Sequence, residues 1–364
     1  MSAPQVAAGA FALRRERLLP ALKPMRAAAF LTTALPNVRY LTGFTGSNAA
    51  LLLTAERAIL FTDPRYRTQS AEESDCEIKI AKGPLVLEIA AAVRRLRLKS
   101  IAFERNRIGF EEHRALAAAL PTVRLKPLSG AVEALRTIKS AAEIAAIQNS
   151  VQLNSKALDQ ALSHFKPSMT EVDLAAEIEY RMRRLGAEAP AFPSIVASAE
   201  RTALPHAHPT TNPIQSDQLL LIDMGATVAG YASDMTRTYG IGKLDAKIRR
   251  MYRAVLESQL AAIDAVKPGA TCAQVDRAAR GVLRRYGLDK LFVHSTGHGL
   301  GLEIHERPRV GRKELTKLET GMAITIEPGV YQEGMGGIRI EDTVIVTGQG
   351  CEILTPTTKE LTLL

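Results

Sequence analysis

Along the first third of this chain, short unbroken apolar runs alternate with stretches whose apolar residues recur at helical spacing. AAAFLTTA is a strand-length run, and AALLLTAERAILFTD holds two such runs around a polar turn, which predicts a hairpin. LVLEIAAAVRRLRL reads as an amphipathic helix and KSIAFE as the strand after it, while RRERLLPALKPM predicts a helix near the start. NVRYLTGFTGSN, rich in Gly, Ser and Asn, reads as a connection. The pattern predicts an α/β unit up to about residue 130, with a boundary near Ser129-Gly130. We therefore divide the chain into domains at 1–132 and 133–364. The second opens on a long helix from about Ser140 to Phe165.

Beyond that helix the chain repeats itself. KPSMTEVDLAAEIEYRMRRLG, from Lys166 to Gly186, and KPGATCAQVDRAARGVLRRYG, from Lys267 to Gly287, align without a gap. They share Lys-Pro, Thr, Arg-Arg and Gly. Thr170 and Thr271 are expected N-caps, and each helix is expected to end at its Gly. Each is preceded by another helix and followed by strands, which predicts a duplicated domain with a pseudo-twofold axis.

Composition narrows the class. With 46% hydrophobic and 23% charged residues the chain is globular, and no run reaches the ~18 apolar residues of a membrane-spanning helix. The Arg residues near the start follow the apolar stretch, the reverse of a signal peptide. Cys76, Cys272 and Cys351 are widely spaced and outside any C-x-x-C pattern, so reduced thiols and a cytoplasmic location are expected. The net charge of +9 comes from Lys and Arg interspersed with acids on helical segments; without Trp or a nucleic-acid motif it predicts a solvated surface rather than a nucleic-acid partner.

The chemistry is concentrated late. Asp223 closes the apolar run Leu219 to Ile222, and Asp234 follows in a second strand-like stretch. Glu327 in MAITIEPGVY and Glu341 in GGIRIEDTVIV repeat the arrangement in the second half. Between them VHSTGHGLGLEIHERP carries His294, His298 and His305, three of seven histidines. Singly, each has an ordinary reading as a turn, surface or core residue. As a set, four acids, each following or embedded in an apolar strand, cannot share a pocket as anions without cations. Two divalent ions balance them, and carboxylates with one imidazole suit manganese first, then cobalt or zinc.

In this order and these contexts, Asp223, Asp234, His298, Glu327 and Glu341 resemble the five metal ligands of the pita-bread metallopeptidases, which include methionine aminopeptidase, Xaa-Pro aminopeptidase and prolidase. NVRYLTGFTGSNAALLLT and LFTDPRYRTQ are similar to the N-terminal domain of the proline-specific branch, and FPSIVAS followed by LPHAHPT extends the match. The resemblance implies an N-terminal creatinase-like α/β domain and a C-terminal pita-bread domain. It implies that Asp223 chelates one ion, that Asp234 and Glu341 bridge both, and that His298 and Glu327 complete the other. A water readied between the ions would attack the peptide carbonyl, with Glu327 taking the proton. His305 and His206 match positions that stabilise the intermediate and hold the substrate, and His294 matches a pocket histidine. Arg339 is expected to pair with the ligand carboxylates, Tyr331 to line the pocket or pack in the core, and Arg309 to read a prolyl carboxylate.

The expected substrate is a peptide with proline in second position, and the expected assembly a homodimer. Of the two activities, the sequence leans to the aminopeptidase on Xaa-Pro-Yyy over the Xaa-Pro dipeptidase. A metal-free creatinase-like hydrolase and a silent peptide-binding module are the remoter alternatives; both should lack ligands that are all present here. Ser295, and Ala199 followed by Glu200-Arg201, depart from the family's usual residues at the rim, which bears on substrate preference rather than on metal.

Overall fold

A computed structural model describes residues 9–364; the first eight residues of the stretch read against a signal peptide lie outside them, while its Arg residues fall in the helix Ala10–Leu18. The described residues divide into two compact units, one up to residue 136 and one formed by residues 137–364.

The N-terminal unit is a six-stranded mixed sheet in the spatial order Glu77–Ile80, Ala58–Thr62, Ala49–Leu53, Ala29–Thr32, Ser100–Glu104, Arg124–Leu128. The expected hairpin is there, with Leu51 opposite Leu60 and Leu52 opposite Ile59. The middle strands are buried throughout, which is why they read as unbroken apolar runs rather than as alternation. The Leu85–Arg95 helix lays Ile89, Ala90 and Val93 into the core with Leu31, Leu52 and Phe61. Two local readings change. The first α-helix stops at Leu18 and Leu19–Leu22 continue as a 3-10 turn, because Pro20 has no N–H to donate. Within the expected connection, Leu35–Thr42 is a helix, with Pro36 in its first turn and Gly43 at its C-cap.

The second unit carries out the duplication. Helices Ala141–Leu162 and Glu171–Leu185 lead to the antiparallel strands Ile195–Ser198, Gln218–Met224 and Met235–Ile241. Helices Ala246–Asp264 and Cys272–Arg285 lead to a sheet ordered Glu306–Val310, Gly297–Gly299, Ala323–Ile326, Asp342–Val346, Cys351–Ile353. Thr170 and Thr271 each cap their helix in a capping box, with Asp173 and Gln274 as the reciprocal partners. The likeness extends to backbone bonds. Glu171 and Val172 donate to the carbonyls of Asn212 and Thr210, and Cys272 and Ala273 donate to those of Thr316 and Glu314. The helix ends differ slightly: Gly186 is itself the C-cap, whereas Tyr286 is the cap in the second half and Gly287 follows it.

Each half has its own core. In the first, Leu174, Ile178 and Met182 pack on Leu220, Ile222 and Met235; in the second, Val255, Val275 and Leu283 pack with Ile324, Ile326 and Val344. Each such side chain, wholly enclosed, contributes roughly 1.5–3 kcal/mol. This rigid frame places the polar ends of the central strands.

Candidate metal centre

Asp223 lies within the Gln218–Met224 strand, opposite Thr236 on Met235–Ile241. The other acids stand one residue outside their strands: Glu327 follows its strand as expected, whereas Asp234 stands before one, a correction to the reading that each acid follows or lies within its strand. Asp234 precedes Met235, Glu327 follows Ile326, and Glu341 falls between Arg339 and Asp342. At a strand end the residue leaves the ladder, so its carboxylate can turn out of the sheet while its neighbours remain paired.

Ligand atoms of Asp234, His298 and Glu341 all lie within 4.8 Å of one another. Nε2 of His298 is 3.5 Å from Oδ2 of Asp234 and 3.3 Å from Oε1 of Glu327, while its Nδ1 donates to the Gly299 carbonyl at 3.0 Å. That bond fixes the tautomer and turns Nε2 to the carboxylates. The glycines beside His298 are dictated by close approach: a Cβ on Gly297 would sit 1.9 Å from the Thr325 carbonyl oxygen, and one on Gly299 2.1 Å from that of Arg307. The GHG segment must therefore thread between two strands with only the imidazole projecting.

Two carboxylate oxygens, Oδ1 of Asp223 and Oε1 of Glu341, are buried with no hydrogen-bond partner. Their sister atoms are held: Oδ2 of Asp223 accepts from Arg339 at 2.7 Å, and Oε2 of Glu341 from the Thr236 hydroxyl at 2.7 Å. Burial and then mutual repulsion push the carboxyls of Asp234 and Glu341 well above the usual carboxylate range, and burial pushes Glu327 up to about 7. Orphaned oxygens among repelling acids are an arrangement that divalent cations satisfy and that solvated carboxylates do not need. The donor set fits such ions.

A hydrogen-bonded chain lies behind these groups. Arg339 donates to the Tyr331 hydroxyl at 2.7 Å, and that hydroxyl is 2.8 Å from Nε2 of His294. Because Nδ1 of His294 donates to the Ser295 carbonyl at 2.8 Å, Nε2 is the acceptor and Tyr331 the donor. Burial and the Arg339 charge lower His294 to about 4, so the ring is neutral. His305 stacks edge-on to His298 with ring centroids 4.5 Å apart. His206 is exposed and close enough for its charge to act on both His294 and His305. Arg309 is exposed on the Glu306–Val310 strand, directly across the ladder from His298.

Sequence reasoning passed over the threonines. Thr236 joins Glu341 to Arg339, accepting from Nε at 3.0 Å; Thr325 accepts from the His298 amide and donates to Glu327 at 3.0 Å. Arg280 and Asp276 were also passed over. Arg280 donates to the Phe292 carbonyl at 2.8 Å and Asp276 accepts from Thr296 at 2.8 Å, so together they pin the loop that carries His294. Only the alternation in DMTRT, which sets Thr236 on the face of Asp234, hinted at any of this.

Comparison with known proteins gives consistent results. The model of Metallopeptidase family M24 matches residues 145–348, and that of the Creatinase/Prolidase N-terminal domain matches residues 14–138. An Xaa-Pro dipeptidase of Pyrococcus horikoshii is 37% identical over 335 residues, 92% of this chain and 94% of its own. Among solved structures, an Xaa-Pro dipeptidase from Bacillus anthracis superposes with a TM-score of 0.95 at 37% identity, covering 97% of this chain and 100% of the other. An X-Pro aminopeptidase from Thermotoga maritima gives 0.89 at 34% identity, covering 95% and 100%.

Proposed function

Given that the chain belongs to metallopeptidase family M24, we propose that it is an Xaa-Pro dipeptidase, hydrolysing the bond between an N-terminal residue and a following proline with two divalent ions. One observation carries the reading: acids from both halves meet His298 with two buried oxygens left unpartnered. Asp223, Asp234, His298, Glu327 and Glu341 would hold the ions, with manganese favoured by the excess of carboxylate oxygen. When bound, such ions lower the pKa of a water and polarise the scissile carbonyl.

The chain's own groups do the rest. Glu327 takes a proton from the attacking water and returns it to the prolyl nitrogen, which leaves poorly unless protonated. Arg339 holds Oδ2 of Asp223, so that Oδ1 is the atom left to ligate. His305 and His206 stabilise the charge that develops on the carbonyl oxygen and hold the peptide. His294, neutral and fixed by Tyr331, lines the pocket as an acceptor.

Relatives named Xaa-Pro dipeptidase support the dipeptidase over the aminopeptidase that the sequence favours. Arg309, exposed opposite His298, is the cation we assign to the free prolyl carboxylate. The Thermotoga structure keeps the aminopeptidase as the second reading. The two separate when Xaa-Pro and Xaa-Pro-Yyy with the same first residue are compared. A kcat/KM at least about tenfold higher for the dipeptide is expected, one charge-assisted contact being worth some 1.5–3 kcal/mol; equal or faster cleavage of the tripeptide returns the reading to the aminopeptidase.

A further inference from the structure

Glu306 follows His305 and is shut into the protein. Its Oε2 accepts from Nζ of Lys139 at 3.2 Å, and its Oε1 from the Glu303 amide at 3.1 Å. The two charged side chains are 1% and 6% exposed. The carboxylate also lies against Gly301, where a Cβ would be 2.7 Å from Oε1 and 2.9 Å from Oε2. Gly301 donates to the Glu303 carbonyl and accepts from the amide of Ala232, two residues before Asp234. The segment from Gly301 to Glu306 is thus closed on a buried carboxylate at one end and tied to the Asp234 segment at the other.

His305 has no such anchor of its own. Among the described residues its imidazole makes no hydrogen bond, and its only ring contact is the edge-on packing against His298. Its position is therefore set through its backbone, and Glu306 is the adjacent residue that is fixed. A buried ion pair adds little net stability over apolar residues of the same volume, so its presence beside a site histidine calls for another explanation.

We propose that Glu306, held by Lys139, is a positioning residue that sets the His305 imidazole against His298 at the metal centre. The inference rests on the reading that His305 touches the peptide. A shift of about 1 Å in such a group costs on the order of 10²-fold in rate.

The test uses the full-length, manganese-loaded protein. Glu306→Gln removes the charge and keeps the shape; Gly301→Ala keeps the charge and displaces the carboxylate. Both are expected to lower kcat on an Xaa-Pro dipeptide by about 10²-fold, with KM and manganese affinity by calorimetry changed by less than about threefold. The double variant Lys139→Met with Glu306→Leu removes both charges of the pair together, and should remain as slow as Glu306→Gln. Wild-type kcat in that double variant would mean that the pair only fills space, and would overturn the proposal. A second readout is independent of turnover. In the zinc-loaded protein, where no paramagnetic ion erases the signal of so near a ring, the Hε1 proton signal of His305 should shift or broaden in Glu306→Gln, Gly301→Ala and the double variant, and an unmoved signal sinks the proposal. A wild-type chain inactive on every Xaa-Pro peptide would instead refute the dipeptidase reading, leaving the ring signal to decide the role of Glu306.

Discussion

SIAFE in the N-terminal unit and LLLID in the second unit look alike on paper, each an apolar strand closed by an acid, yet Glu104 and Asp223 escape the cost of burial by opposite means. Both oxygens of Glu104 are partnered, Oε1 by Nδ2 of Asn37 at 2.6 Å and Oε2 by the Thr32 hydroxyl. Burial, helped by the charge of Glu133, pushes this carboxyl up to about 7, so a single proton neutralises it. Asp223 stands among Asp234, Glu327 and Glu341, and two oxygens of that group have no partner at all. One proton cannot neutralise several acids, and the arrangement requires cations. An acid at the end of an apolar strand is therefore no metal signal in itself; company and unpartnered oxygens make it one.

The sharpest way to break the comparison is to remove a proposed ligand. Asp234→Ala or Glu341→Ala should abolish bound metal, measured by elemental analysis, and lower turnover by at least about 10³-fold, several kcal/mol of transition-state stabilisation. Full activity in either would end the two-metal reading. Glu327→Gln is milder, because the amide keeps one oxygen. Turnover should fall roughly 10²–10⁴-fold while much of the metal stays bound, and a variant at wild-type rate would remove Glu327 from proton transfer.

Metal loading should then divide the two units by hydrogen exchange. Each manganese ion, at 100 times its dissociation constant, should stabilise the strands around Asp234 and His298 by about 2.7 kcal/mol, roughly a hundredfold in protection. Amides around Thr32 and Glu104 should not respond. Equal protection of both regions would show that the two units open together, and would remove this contrast between Glu104 and Asp223.

The same comparison marks how far the sequence could be read. The duplicated helices, the hairpin and the meeting of Asp234, His298 and Glu341 were legible, because capping residues, strand-length apolar runs and the order of acids and histidines are local signals. What was not legible depends on partners distant in sequence. Thr236 and Thr325 gain meaning only where they meet Glu341, Arg339 and Glu327. Glu306 reads as one more polar residue in HERP until Lys139, far upstream, is found against it. The Leu35–Thr42 helix hid behind flanking Gly and Ser, although Pro36 is well suited to a first turn. The choice between dipeptidase and aminopeptidase was not legible, because the strand that carries Arg309 fixes its place in the ladder and not what its exposed side chain binds.

The smallest effect tests the other side of the comparison, the acid that needs only a proton. In the unfolded chain Glu104 ionises near its ordinary value of 4.5, and in the folded protein near 7. Between these values the folded state holds the extra proton, so stability falls as pH rises and the contribution is complete only below the lower value. From pH 5 to 7 the loss is about 2 kcal/mol. Urea unfolding of the full chain, followed by pulsed hydrogen exchange in peptides covering residues 29–42, should show this slope in the wild type and a nearly flat profile in Glu104→Gln. Added manganese should leave both profiles unchanged, since no orphaned oxygen faces an ion there. A slope that survives the substitution would assign the titration to another group and leave Glu104 an ordinary hydrogen-bonded carboxylate.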